Sequence, residues 1–126
     1  MTENHTLALI AGRPGPLRDS LVALLTTIPC IEYVSQADDM LSVMRLVTET
    51  CLDVVLLDAR LPGDRDWTAL RKIKARSPRT QCIVLADSGQ QQWEARAAGA
   101  DAALLKGFPA RRLVAIIESL LCSPGV

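Results

Sequence analysis

The chain has 126 residues, balances 14 Lys and Arg against 14 Asp and Glu, and is 49% hydrophobic but only 3% aromatic. That length suits one domain around a single core, and the apolar content excludes a disordered chain. Zero net charge with interspersed signs argues against a nucleic-acid-binding face, and the scarcity of aromatics against a stacking platform for single strands.

Residues 6–11 form a short apolar run that stops at Gly12-Arg13-Pro14-Gly15-Pro16, which reads as a strand followed by a loop. The run is too short for a signal peptide and lacks a basic flank, and nothing approaches a membrane span. Leu17, Leu21, Leu24, Leu25 and Ile28 recur at helical spacing, and Pro29 is expected to end that helix. Residues 31–36 read as a second strand. Asp38 or Asp39 then caps a second helix expected to turn Leu41, Met44 and Val47 or Thr48 inward.

From Asp53 to Leu57 the chain is dominated by Val and Leu with no polar alternation, as a strand covered on both faces requires. Leu61-Pro62-Gly63 cannot prolong a central strand, so Asp58 arrives where the chain must turn. Asp66 is the expected N-cap of a third helix that carries Trp67, Leu70 and Ile73 and ends near Ser77-Pro78. Residues 81–86 make a fourth strand, followed by the loop Asp87-Ser88-Gly89. An Ala-rich helix over 90–98 closes at Gly99, and 102–105 is a brief fifth strand before Lys106. Pro109 opens a last helix that buries Leu113, Ile116, Ile117, Leu120 and Leu121. From about residue 122, Ser123-Pro124-Gly125 reads as a linker or tail, so residues 1–126 are expected to form one domain.

Five strands alternating with five helices imply a flavodoxin-like α/β fold, a doubly wound parallel sheet of order 2-1-3-4-5. In such sheets ligands collect beyond the carboxyl ends of the strands. Those ends bring together Gly12 and Arg13, then Asp58, then Ala86 with Asp87 and Ser88, and finally Lys106. Asp58 is therefore a candidate reactive group, with a salt bridge to Lys106 as the plainer reading of that pair. Asp38, Asp39, Asp64 and Asp87 read as caps or turn residues, Asp87 alone directly following a strand. Trp67 and Trp93 read as packing residues rather than binding platforms.

The four cysteines, Cys30, Cys51, Cys82 and Cys122, lie far apart without a CxxC pair. They are expected to be reduced, mostly buried thiols of a cytosolic protein, with no metal-site spacing. No GxGxxG or GxxxxGK[ST] occurs, and prolines interrupt the first loop where phosphate-cradling amides would be needed. A nucleotide-dependent enzyme on this fold thus lacks support, although the fold itself hosts many activities.

The segment DVVLLDARLPG, from Asp53 to Gly63, resembles the phosphoacceptor segment of response-regulator receiver domains, and the likeness covers nearly the whole chain. The resemblance implies a cytoplasmic role in two-component phosphorelay signalling rather than an enzyme, at most an acceptor that phosphorylates itself and slowly loses the group. It puts the phosphoacceptor at Asp58 and the Lys that pairs with phosphate or carboxylate at Lys106, within GADAALLKG. It also puts the family's acidic magnesium-binding pair on Gly12 and Arg13, its hydroxyl residue on Ala86 and its mobile aromatic on Ala103. None of those four has the family's residue type. Magnesium, expected for the family, is therefore not expected here, and no other cofactor is implied. Arg13 either pairs with Asp58 where the metal would otherwise mediate, or points into water.

The implied partners are a histidine kinase or another signalling protein, and a second copy of the chain through the fourth helix, fifth strand and fifth helix. Neither nucleic acid nor membrane is implied. Two functions follow from the resemblance. The leading one is a phosphorelay receiver acting through Asp58; the alternative is a phosphorylation-independent pseudo-receiver that serves as an interaction or dimerisation module.

Overall fold

The computed structural model describes residues 6–121, and Cys122 and the expected tail lie outside them. Strands β1 (Leu7–Ala11), β2 (Tyr33–Ala37), β3 (Val54–Asp58), β4 (Gln81–Ala86) and β5 (Ala102–Leu105) alternate with five helices. These are α1 (Pro16–Leu25), α2 (Met40–Glu49), α3 (Thr68–Arg76), α4 (Gly89–Ala97) and α5 (Ala110–Leu121). All neighbouring strands pair in parallel in the order β2-β1-β3-β4-β5, so the flavodoxin-like topology holds.

The unbroken apolar runs have the meaning that parallel sheets assign to them. In β3, Val55 and Leu57 face one core with Leu9, Val84, Val43 and Ile73, whereas Val54 and Leu56 face a second core with Ile10, Ile83, Leu25 and Ile117. Helices α2, α3 and α4 therefore cover one face of the sheet, and α1 and α5 the other. Full burial of each such side chain contributes about 1.5–3 kcal/mol.

Several local expectations are corrected. Helix α1 ends at Leu25, before Pro29, because the hydroxyls of Thr26 and Thr27 donate to Ala23 O and Leu24 O and close its last turn. Leu17 stays partly exposed at its start. Asp39 caps α2 by accepting Ser42 N at 2.9 Å, yet the helix buries Val43 and Val47 and leaves Leu41 exposed. Asp66 is not the cap of α3. Asp66 and Trp67 both sit at positive φ, α3 starts at Thr68, and Asp64 Oδ1 instead accepts Ala69 N at 3.0 Å.

The cysteines differ from expectation as well. Cys30 is disulfide-bonded; among the described residues Cys51 is an exposed free thiol and Cys82 a buried one. Spacing reports only local Cys pairs and CxxC motifs, and Cys30 belongs to neither. Burial, with Lys74 opposing and Asp101 assisting, pushes the Cys82 thiol up to about 12. The thiolate is the reactive form. Iodoacetamide at pH 8 should therefore label Cys51 in the folded chain and leave Cys82 unmodified until denaturant is added, as read by peptide mass mapping.

Candidate functional site

The register of the sheet decides what meets at its carboxyl edge. Ala11 pairs with Leu57, so Gly12 and Asp58 come next side by side; Asp58 pairs with Leu85, and Ala86 with Leu105. Gly12 has no side chain at a point where one would crowd, since an added Cβ would stand 3.1 Å from Asp58 Cβ. Lys106 is held at its own edge by its amide, which donates to Ala86 O at 2.8 Å.

Across this edge Lys106 Nζ donates to Asp58 Oδ1 at 2.9 Å and also contacts Asp87 Oδ1 at 3.1 Å. One ammonium thus bridges two carboxylates. Asp58 Oδ1 also accepts Arg60 N at 2.9 Å, and Arg60 Nε lies 3.8 Å from Asp87 Oδ2. Asp58 Oδ2 accepts no hydrogen bond among the described residues. Burial works against the Lys106 charge, but the hydrogen bonds and charges of Asp58 and Asp87 outweigh it and raise its pKa. The ammonium is the form this site stabilises.

The β1 side of the crevice has a different chemistry. A cavity of about 30 Å³ there is lined by Gly12, Arg13, Leu17, Arg18 and Asp58 among others. Arg13 is exposed and makes no ion pair with Asp58, so of the two orientations open to it the structure has the solvent-facing one. Arg18 is the more engaged cation. It donates to Gly12 O at 3.1 Å and pairs with Asp38, while its Nε is buried without a partner. Among the described residues, no group of three or more His, Cys, Asp or Glu side chains could hold a metal ion.

The remaining candidate positions lie where the topology puts them. Ala86 is fully buried at the end of β4, and Ser88, two residues on, is exposed. Ser88 caps α4, accepting Gln91 N at 3.2 Å. Ala103 is buried within β5, and its carbonyl accepts Gln92 Nε2 at 2.8 Å. Asp87, read mainly as a turn residue, proves to be a full member of the cluster. Arg18 and Arg60 carried no sequence signal beyond charge. Trp67 is half-buried against the core with its indole N–H 3.4 Å from Glu94, whereas Trp93 is 71% exposed.

A parallel sheet of this order, with an acid ending its third strand and a lysine just beyond its fifth, defines an α/β domain built to present charge at one edge. The chain belongs to the response regulator receiver domains, the family whose model matches residues 15–118. It is thus a receiver domain of two-component signalling. It is similar to a DNA-binding response regulator of the LuxR family from Staphylococcus aureus, at 26% identity and TM-score 0.81, over 91% of this chain and 98% of that one. The fold is shared with the response regulatory domain of protein mrkE from Klebsiella pneumoniae, at 19% identity and TM-score 0.84, over 94% and 97% of the two chains. A two-component response regulator from Clostridium difficile matches over 97% of this chain and 100% of that one, at 18% identity and TM-score 0.85. No curated protein matches.

Proposed function

We propose that this receiver domain signals by binding partner proteins, with Asp58 held in a standing ion cluster instead of being cycled through metal-assisted phosphorylation. The observation that carries this reading is the donor set on the β1 side of Asp58. Gly12 has no side chain, Arg13 and Arg18 are cations, and Asp58 itself is the one carboxylate lining that cavity. Magnesium requires several oxygen ligands in near-octahedral array and is repelled by neighbouring cations. The residues present do not fit it. The second carboxylate, Asp87, reaches the cluster from the β4 side and is already shared with Lys106.

The switch positions support the same reading. Ala86 offers no hydroxyl to hold a phosphoryl group, and Ala103 has no ring to move. Preorganised groups that stabilise developing charge are each worth about 10²–10³ in rate, so the lack of more than one leaves phosphoryl transfer to Asp58 very slow. A second reading keeps Asp58 as a metal-independent phosphoacceptor, and the free lone pairs of Oδ2 favour it. The partners fitting the proposed role are a histidine kinase or another signalling protein, and a second copy through α4, β5 and α5. Exposed Trp93 and Leu105 on that face support the second-copy assignment. The cytoplasm is the proposed compartment, and no described helix is long and apolar enough to cross a membrane.

Incubation of the full chain with acetyl phosphate and magnesium, followed by intact-mass measurement, separates the two readings. No mass gain within an hour is the expected result. An added phosphoryl group that disappears in Asp58→Asn would establish the phosphorelay reading instead.

A further inference from the structure

Five cations on and around α3, namely Arg65, Arg71, Lys72, Arg76 and Arg79, are exposed and form no ion pair among the described residues. Between positions 60 and 80 the sequence carries seven Arg or Lys against two Asp, although the whole chain is neutral. Of these cations, Lys72 lines an open groove of about 560 Å³ between α2 and α3. Met40, Leu41, Met44, Pro62 and Gly63 line it, with Lys72 at its α3 side. Arg76 lies one turn beyond Lys72 on the same helix face. Leu41 is 71% exposed, and Met40 and Met44 are only partly buried. The one carboxylate on the lining, Asp39, is occupied in accepting Ser42 N.

We propose that the α2–α3 groove is the docking site for an acidic amphipathic helix of a partner protein. Apolar side chains spaced one turn apart on such a helix would seat over Met40 and Met44, whose flexible thioethers adapt to varied shapes. Its Glu and Asp side chains would meet Lys72 and Arg76, which have no acidic partner within the chain. The apolar side chains line a groove between two helices, which suits an inserted helix better than the plane of a lipid surface. The groove shares no residue with the Asp58–Asp87–Lys106 cluster, and the proposal stands whatever the chemistry of Asp58.

Of the three methionines in the chain, two line this groove, which makes their methyl groups direct reporters. The full chain carrying methyl-¹³C methionine would be titrated with a synthetic Leu/Glu amphipathic helix, with its Leu/Lys counterpart, and with phosphatidylserine vesicles. The Met40 and Met44 signals should shift saturably with the acidic peptide alone. The exposed double change Lys72→Glu/Arg76→Glu should weaken that binding about tenfold or more and create binding of the Leu/Lys peptide. No saturable shift, equal response to both peptides, or indifference to the double change would overturn the proposal. A matching shift with vesicles would overturn it in favour of a lipid surface.

Discussion

Replacing Gly12 and Arg13 together with Asp is expected to turn a chain without saturable magnesium binding into one that binds the ion, measured by calorimetry or by manganese-induced proton relaxation. The parent cavity beside Asp58 is lined by one carboxylate and two guanidinium-bearing residues. Unit charges about 4 Å apart interact by only ~1 kcal/mol in bulk water, which is the relevant limit for exposed Arg13. The ion carries two charges and the exchange at position 13 changes the side-chain charge by two, so the gain is about 4 kcal/mol before salt screening. After screening, at least about a hundredfold in affinity should remain. The change at position 12 carries a penalty, because its Cβ would stand 3.1 Å from Asp58 Cβ and Asp58 must give way by a few tenths of an ångström. Such overpacking costs about 1–3 kcal/mol, so Arg13→Asp alone serves as the unstrained comparison and should show a smaller gain in the same direction. If the double variant binds no more ion than the parent, the missing acids are not what shapes this crevice, and the proposed function loses its support.

What the sequence makes legible here follows from where each constraint acts. Strands β4 and β5 fall on the expected residues because buried parallel strands need continuous apolar runs with punctuation at both ends. Asp58 and Lys106 are legible for a related reason: topology alone delivers the ends of the third and fifth strands to one edge, and their side chains meet at 2.9 Å. Helix α2 shows the limit of periodicity. Leu41 and Met44 make one stripe at helical spacing and Val43 and Val47 another, and it is the second that the fold buries. The start of α3 was misplaced because two successive left-handed residues, Asp66 and Trp67, delay the helix and pass the capping role back to Asp64. Asp tolerates that conformation better than most residues, but Trp gives no sign of it.

The same reasoning explains the uneven reading of the site. Backbone position is encoded by pattern, but the reach of a long side chain is not. Arg18 spans from its helix to Gly12 O and Asp38, and Arg60 lies near Asp87, through contacts that depend on rotamers set by the folded surroundings. Asp87 joins the cluster because Ala86 O accepts the Lys106 amide at 2.8 Å, which leaves the carboxylate that follows Ala86 within 3.1 Å of Lys106 Nζ.

Asp101→Ala should be the most destabilising single change outside the apolar core. At the edge of the sheet opposite the crevice, Asp101 Oδ2 accepts Cys82 N at 2.7 Å and Lys74 Nζ at 2.9 Å, while its own amide donates to Cys82 O at 2.8 Å. Lys74 also donates to Pro78 O and Thr80 O, and buried Thr80 donates its hydroxyl to Leu52 O at 2.7 Å. One carboxylate therefore ties α3, the turn after it, β4 and the start of β5 together. Its removal leaves the amide of fully buried Cys82 without an acceptor, which costs about 1–3 kcal/mol. The ion pair adds little beyond that, because both side chains retain solvent contact at 20% and 26% exposure. A total of about 1–4 kcal/mol corresponds to a fall in melting temperature of roughly 5–15 °C for a domain of this size. Asp101→Asn keeps an oxygen for Cys82 N and should cost less than about 1 kcal/mol, a ratio that urea denaturation can resolve. Equal losses from the two changes would mean that the charge, not the acceptor, secures the start of the strand that carries Lys106 at its other end.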